Sequence, residues 1–174
     1  MLVVVIMGVF MSLAIPKMNI SRSRAEGSAQ QIRSVFLTAQ RTSLTRQYDV
    51  IVSFDTSNKN AIRIGEDANN DGVVTGVEWK FWRSLGEGTF MMPAVGSDNT
   101  NPPAAKIVGN FKTVDGMPSI IFHRDGSAST DAEVYVGSPY KNRTDFRMVT
   151  LTRSTARSDL FRLSGNKVWI PGTR

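Results

Sequence analysis

The spacing of the apolar residues changes once along the chain, near Tyr48, and this change limits the fold more than any other feature. Before it, apolar residues recur at helical spacing with arginines on the opposite face: Ala25, Ala29, Ile32, Val35 or Phe36, and Ala39. After it, apolar residues alternate with a period of two, as in "YDVIVSFD". One long helix followed only by strands predicts an α+β fold.

Beyond Tyr48, short runs typical of strands are separated by turn residues. "AIRIG", "VEWKFWRSL", "FRMVTL", "LFRL" and "KVWI" belong to a predicted set of about eight strands. "PSIIFHRDGSASTDAEVYV" predicts a hairpin that turns at Asp125-Gly126, and "GEGTFMMPAVGSDNTNPPAAK" predicts a long loop. We therefore expect an apolar segment 1–16, an amphipathic helix over 17–47, and a β-rich domain over 48–174 whose antiparallel sheet carries the helix.

Residues 67–78, "DANNDGVVTGVE", match the twelve-residue calcium-loop pattern without a mismatch, and we call them the acidic loop. The flanking segments favour strands, so this is not an EF-hand, which needs a helix on each side. Gly72 permits a sharp bend. A Ca²⁺ site would take its oxygen ligands from Asp67, Asn69, Asp71, Val73, Thr75 and Glu78. The alternative is a turn whose Asn and Asp side chains cap their own backbone.

Composition excludes several classes of function. The chain has no cysteine, which rules out disulfides, iron–sulfur clusters and thiolate zinc sites. Its single histidine, His123, rules out a histidine-rich metal site within one chain. There is no G-x-S-x-G nucleophile turn, and "GEGTF" lacks the Lys-Ser/Thr of a phosphate-binding loop. We therefore expect no catalytic residues, no enzyme activity and no small-molecule substrate.

The basic residues are concentrated at the C-terminal end. Residues 141–174 contain eight Lys or Arg and two Asp, so this segment accounts for the net charge of +6. Such a segment contacts polyanions or an acidic protein surface, or is simply a solvated strand face. The candidate nucleic-acid contacts are Arg153, Arg157, Arg162, Lys167 and Arg174, and Trp169 could stack on a base or pack within its strand.

The first fifteen residues form an apolar run that only Gly8 and Ser12 interrupt. As a helix the run would span about 22 Å, against roughly 30 Å for a bilayer core. A signal peptide, a buried core helix and a membrane span that continues upstream of Met1 are three interpretations of this length. Gly8 and Ser12 would let helices approach closely, and Pro16 would bend the chain that follows.

The run "LVVVIMGVFMSLAIP" resembles the N-terminal helix of type IV pilins and pseudopilins in the spacing of Gly8 and Ala14-Ile15-Pro16. Aligned in this way, the family's cleavage glycine and assembly glutamate would fall before Met1. The helix, the "ARxxA"-like segment at Ala39-Gln40-Arg41-Thr42-Ser43 and the strand "YDVIVSFD" are similar to the GspH/FimT branch of minor pseudopilins. In that branch an Asn/Asp/Gly-rich turn follows shortly after the first strand.

The resemblance implies a non-catalytic minor subunit of a type II secretion or type IV pilus filament, assembled at or near the tip. It implies a single-pass protein of the bacterial inner membrane, with an N-methylated mature end and the globular domain in the periplasm or outside the cell. The implied partners are other pilins, the inner membrane, and secretion cargo or DNA. Some FimT-type pilins take up DNA through a Gly-Arg-x-Arg-like stretch, from which "SGNKVW" departs at Asn166 and Lys167.

Overall fold

The fold is described from a computed structural model over residues 20–56, 60–86, 89–91, 107–137, 146–165 and 168–172. The predictions for the apolar run, with Gly8, Ser12 and Pro16, and for Lys167 and Arg174 lie outside these residues. Within the part of the chain that is described, no helix has both the length and the hydropathy that crossing a bilayer requires.

Within the described residues, helix α1 extends over Ile20–Arg46. Its buried apolar side chains are the predicted stripe, which is confirmed: Ala25, Ala29, Ile32, Val35, Phe36 and Ala39. The helix ends where Gln47 adopts a left-handed conformation (φ 58°) and its N–H donates to the Ser43 carbonyl at 3.0 Å. This geometry satisfies a carbonyl of the last turn and directs the chain into the first strand.

Eleven strands follow in the described residues, and all their pairings are antiparallel. They are β1 Asp49–Asp55, β2 Ala61–Asp67, β3 Trp79–Ser84, β4 Phe90–Met91, β5 Ile107–Gly109, β6 Lys112–Val114, β7 Met117–Phe122, β8 Ala132–Gly137, β9 Arg147–Thr152, β10 Arg157–Leu163 and β11 Trp169–Pro171. The first sheet has the order β3-β2-β1-β7-β6. The second has the order β11-β10-β9-β8-β4, and β5 also pairs with β8.

The hydrophobic core lies between α1 and one face of each sheet, which we call the inner face. Phe36 of α1 contacts Phe54 of β1 edge-to-face, with ring centroids 6.2 Å apart, and Phe122 of β7 at 5.8 Å. Val149 and Leu160 bring β9 and β10 into the same cluster. The predicted α+β class, a long helix packed on antiparallel sheet, is confirmed.

The predictions about the strands are confirmed only in part. A short hairpin forms at Asp125-Gly126, where the His123 N–H donates to the Ser127 carbonyl at 2.9 Å and Phe122 forms an antiparallel bridge with Ala128. The predicted second strand does not stay beside β7, because β8 enters the other sheet. The turn is held against α1, because Gln40 donates to the Gly126 carbonyl and Leu44 packs on Gly126. In addition, β4 occupies part of the predicted long loop, where it pairs with β8.

Candidate functional site

The acidic loop joins β2 to β3, which confirms that it is not an EF-hand. Asp67 is buried, and its two carboxylate oxygens accept the backbone N–H groups of Asp71 (3.1 Å) and Gly72 (2.9 Å). Asp71 in turn accepts the N–H of Val73 at 2.8 Å, and the Asn69 side chain donates to Asp71. Gly72 has φ 80°, a conformation that favours glycine.

The C-terminal end of the acidic loop is closed in the same way. Glu78 Oε2 accepts the N–H of Thr75 at 2.9 Å and its hydroxyl at 3.0 Å. These bonds stabilise the carboxylate and hold the pKa of Glu78 below its usual value. Among the described residues, no three His, Asp or Glu side chains are grouped so as to hold a metal ion. The loop has the geometry of the self-capped turn, and calcium binding by it stays a prediction.

The acidic loop also covers the outer face of the first sheet. Val74, with Trp79, packs on Ile51 and Ile121 in a small second cluster. A Cβ at Gly65 would come within 2.7 Å of Val74 Cγ1, so glycine at that position lets the loop lie directly on the strand. The hydrogen bonds that cap the loop therefore hold Val74 over the apolar residues on this face of the first sheet.

The predicted nucleic-acid contacts that the structure describes are spread over the turn after β9 and along β10. Arg153 lies exposed in the turn after β9. Arg157 is 67% exposed and pairs with Asp159 at 3.0 Å, whereas Arg162, five residues further along β10, points to the inner face with Leu160. Trp169 packs edge-to-face on Tyr135, with centroids 5.7 Å apart, as a strand-packing residue does. DNA binding by this set stays a prediction.

The structure instead brings arginines together between α1 and the β9–β11 side of the second sheet. Arg22 and Glu26 of α1, Arg147 of β9 and Arg162 of β10 line a cavity of about 560 Å³. The Arg147 side chain is only 2% exposed and is ion-paired through Nε to Glu26, and it also donates to the Phe146 carbonyl. A buried guanidinium is stable because charged and polar acceptors replace its water.

Two further hollows, each of about 250 Å³, adjoin this cavity. One shares Arg22 and Arg162 with it, and the other shares Gly172 and adds Arg33 and Arg157. We call the three together the arginine groove. Its α1 wall follows one helical face, because residues 22, 26, 30 and 33 are spaced three or four apart.

The arginine groove is not evident from any sequence pattern. Only Arg157 and Arg162 were candidates, and both were assigned to a nucleic-acid contact. The helical spacing of polar residues 22, 26, 30 and 33 could have indicated the wall that α1 contributes. The opposite wall is made by β9 and β10, more than a hundred positions away, and no local sequence pattern predicts how these strands lie against α1.

Comparison with known structures identifies the class of fold. The minor pseudopilin EpsH from the type 2 secretion system of Vibrio cholerae superposes with a TM-score of 0.54 at 12% identity, over 80% of this chain and 97% of that one. The type IV minor pilin FimU of Pseudomonas aeruginosa gives 0.52 at 12% identity, over 86% and 94%. The sequence matches no protein-family model and no curated protein. The fold is that of GspH/FimT-type minor pseudopilins, as the sequence resemblance predicted.

Proposed function

We propose that this chain is a non-catalytic minor subunit of a pilus-like filament, of either the type II secretion or the type IV pilus kind. The observation that carries the proposal is the fold, one helix laid across two antiparallel sheets, which covers nearly the whole of EpsH and FimU. The pilin-like spacing of Gly8 and Ala14-Ile15-Pro16 in the apolar run is independent support.

The proposed mechanism is assembly rather than chemistry. The apolar run stores the subunit in the inner membrane, with the sheets on the periplasmic side, and packs against other such helices when the filament grows. Gly8 and Ser12 give the small surfaces that close helix packing needs. On α1, Leu37 is 37% exposed and offers an apolar contact for a neighbour, and Leu44, one heptad further on and 43% exposed, extends this contact beside the Gly126 turn on which it packs. At the tip, the sheets would meet other minor subunits or cargo.

Because the chain has no cysteine, disulfide crosslinking tests this mechanism cleanly. Ser12→Cys lies in the predicted helix-packing run, and Arg124→Cys lies in an exposed turn as a matched control. After mild oxidation of native cells, we expect Ser12→Cys to give crosslinked species that contain a second pilin-like chain carrying a cysteine at the matching position. Arg124→Cys should give none, and blocking filament assembly should abolish the Ser12→Cys product.

Two outcomes would reject the filament role. One is equal crosslinking from Ser12→Cys whether or not assembly is blocked, which would indicate random contact in the membrane. The other is no crosslink from Ser12→Cys in cells whose filaments form normally.

A further inference from the structure

The charges of the arginine groove are not balanced internally. Five arginines and two carboxylates line it, and the carboxylates are already used, Glu26 by Arg147 and Asp159 by Arg157. The three other arginines, Arg22, Arg33 and Arg162, make no ion pair with any residue that the structure describes. Uncompensated guanidinium groups in a concave site attract anions.

Two of these three arginines are partly buried, whereas Arg22 is exposed. The Nε atoms of Arg33 and Arg162 are buried, and neither has a hydrogen-bond acceptor among the described residues. Arg147, nearly fully buried, lines the same cavity as Arg162. Because burial restricts the side chains of Arg33 and Arg162, an anion that binds them costs less conformational entropy than one that binds fully exposed arginines.

We propose that the arginine groove binds an acidic peptide segment of a partner protein, with carboxylates paired to Arg22 and Arg162. Carboxylates match the planar donor geometry of guanidinium and form bidentate pairs with it. This site includes Arg157 and Arg162 of the predicted nucleic-acid contacts but assigns them a different ligand, and it does not depend on the filament role.

The surroundings of the groove favour a peptide over a nucleic acid. The carboxylates of a peptide stand on flexible side chains that can turn toward Arg22 and Arg162 and away from Glu26 and Asp159, whereas phosphates lie in the nucleic-acid backbone itself. Leu160, Phe161 and Pro171 supply apolar wall.

Fluorescence anisotropy on the full chain in a nonionic detergent tests the proposal. The probes are a labelled hexaglutamate peptide and a labelled thymidine hexanucleotide, both at low salt. We expect the peptide to bind more tightly than the hexanucleotide. Arg22→Gln combined with Arg162→Gln should weaken peptide binding at least about tenfold, because two charge-assisted contacts are lost. Arg124→Gln and Arg153→Gln together, the matched control, remove the same charge outside the groove and should change it less than about twofold.

A second measurement needs no variant. In the wild-type chain, the peptide should shift the Nε–H NMR signals of Arg33 and Arg162 but not that of Arg124. No peptide binding, or an equal loss in the control pair, would overturn the proposal. Tighter binding of the hexanucleotide through the same arginines would replace it with a nucleic-acid site.

Discussion

The acidic loop and the arginine groove are both rich in charge, but they use it in opposite ways. In the loop, Asp67, Asp71 and Glu78 each accept hydrogen bonds from the loop's own backbone. In the groove, Arg22, Arg33 and Arg162 have no ion-pair partner within the described residues. The loop's charges therefore build structure, and the groove's charges are available to a ligand.

The difference shows that a matching motif and an available site are separate properties. The acidic loop matches a ligand-binding pattern at every defined position, yet its oxygens already hold the turn that places Val74 on the first sheet. An ion there would have to compete with backbone donors for the same oxygens. The groove matches no pattern, yet it leaves donors without internal acceptors.

The largest expected effect concerns the ion pair that fixes the wall of the groove. Glu26→Ala should lower the free energy of unfolding by about 3 kcal/mol, because it removes the charged acceptor of a buried guanidinium. Arg147→Met should cost less, since Glu26 is partly exposed and can be hydrated. The double variant should cost less than the sum of the two single variants.

Urea unfolding of the four proteins measures this cycle. Additive costs would show that the two side chains do not interact in solution. In that case Glu26 would not be occupied by Arg147, and the charges that line the groove would differ from those in the structure.

A smaller effect is expected in the acidic loop. Asp67→Ala removes the acceptor of two backbone N–H groups and should cost about 2 kcal/mol, whereas Asp67→Asn keeps one oxygen acceptor and should lose less. Thermal unfolding in EDTA measures both. We expect the wild-type melting temperature to be the same in EDTA and in millimolar Ca²⁺, because the loop folds on its own donors. A calcium-dependent rise that Asp67→Ala abolishes would instead establish the predicted metal site.

The sequence predicts the parts of this fold that depend on neighbouring residues. The buried stripe of α1 follows from helical spacing, and the position of the acidic loop between two strands follows from the alternating patterns beside it. A self-capped turn was one of the two interpretations of the acidic loop, because Asp and Asn side chains reach backbone groups two to five residues away.

The parts that depend on distant pairing could not be predicted. The turn at Gly126 is typical of a hairpin and forms a short one, but no residue near it indicates that β8 then enters the other sheet. Similarly, Arg22 and Arg162 are 140 positions apart. Their meeting depends on the order β11-β10-β9 and on the position of α1 across it, which local propensities do not determine.

The smallest expected effect is the pH dependence of Glu78. Thr75 holds the folded pKa of this carboxyl below its usual value of 4.5, so its contribution to stability is complete above the unfolded pKa and is lost as the pH falls through the folded pKa. The wild type should therefore be more stable than Glu78→Gln at neutral pH. The difference should shrink below about pH 5, which urea unfolding at a series of pH values measures. If the two stability curves stay parallel down to about pH 3, Thr75 does not bind the carboxylate in solution, and the acidic loop would then have an oxygen ligand free for an ion.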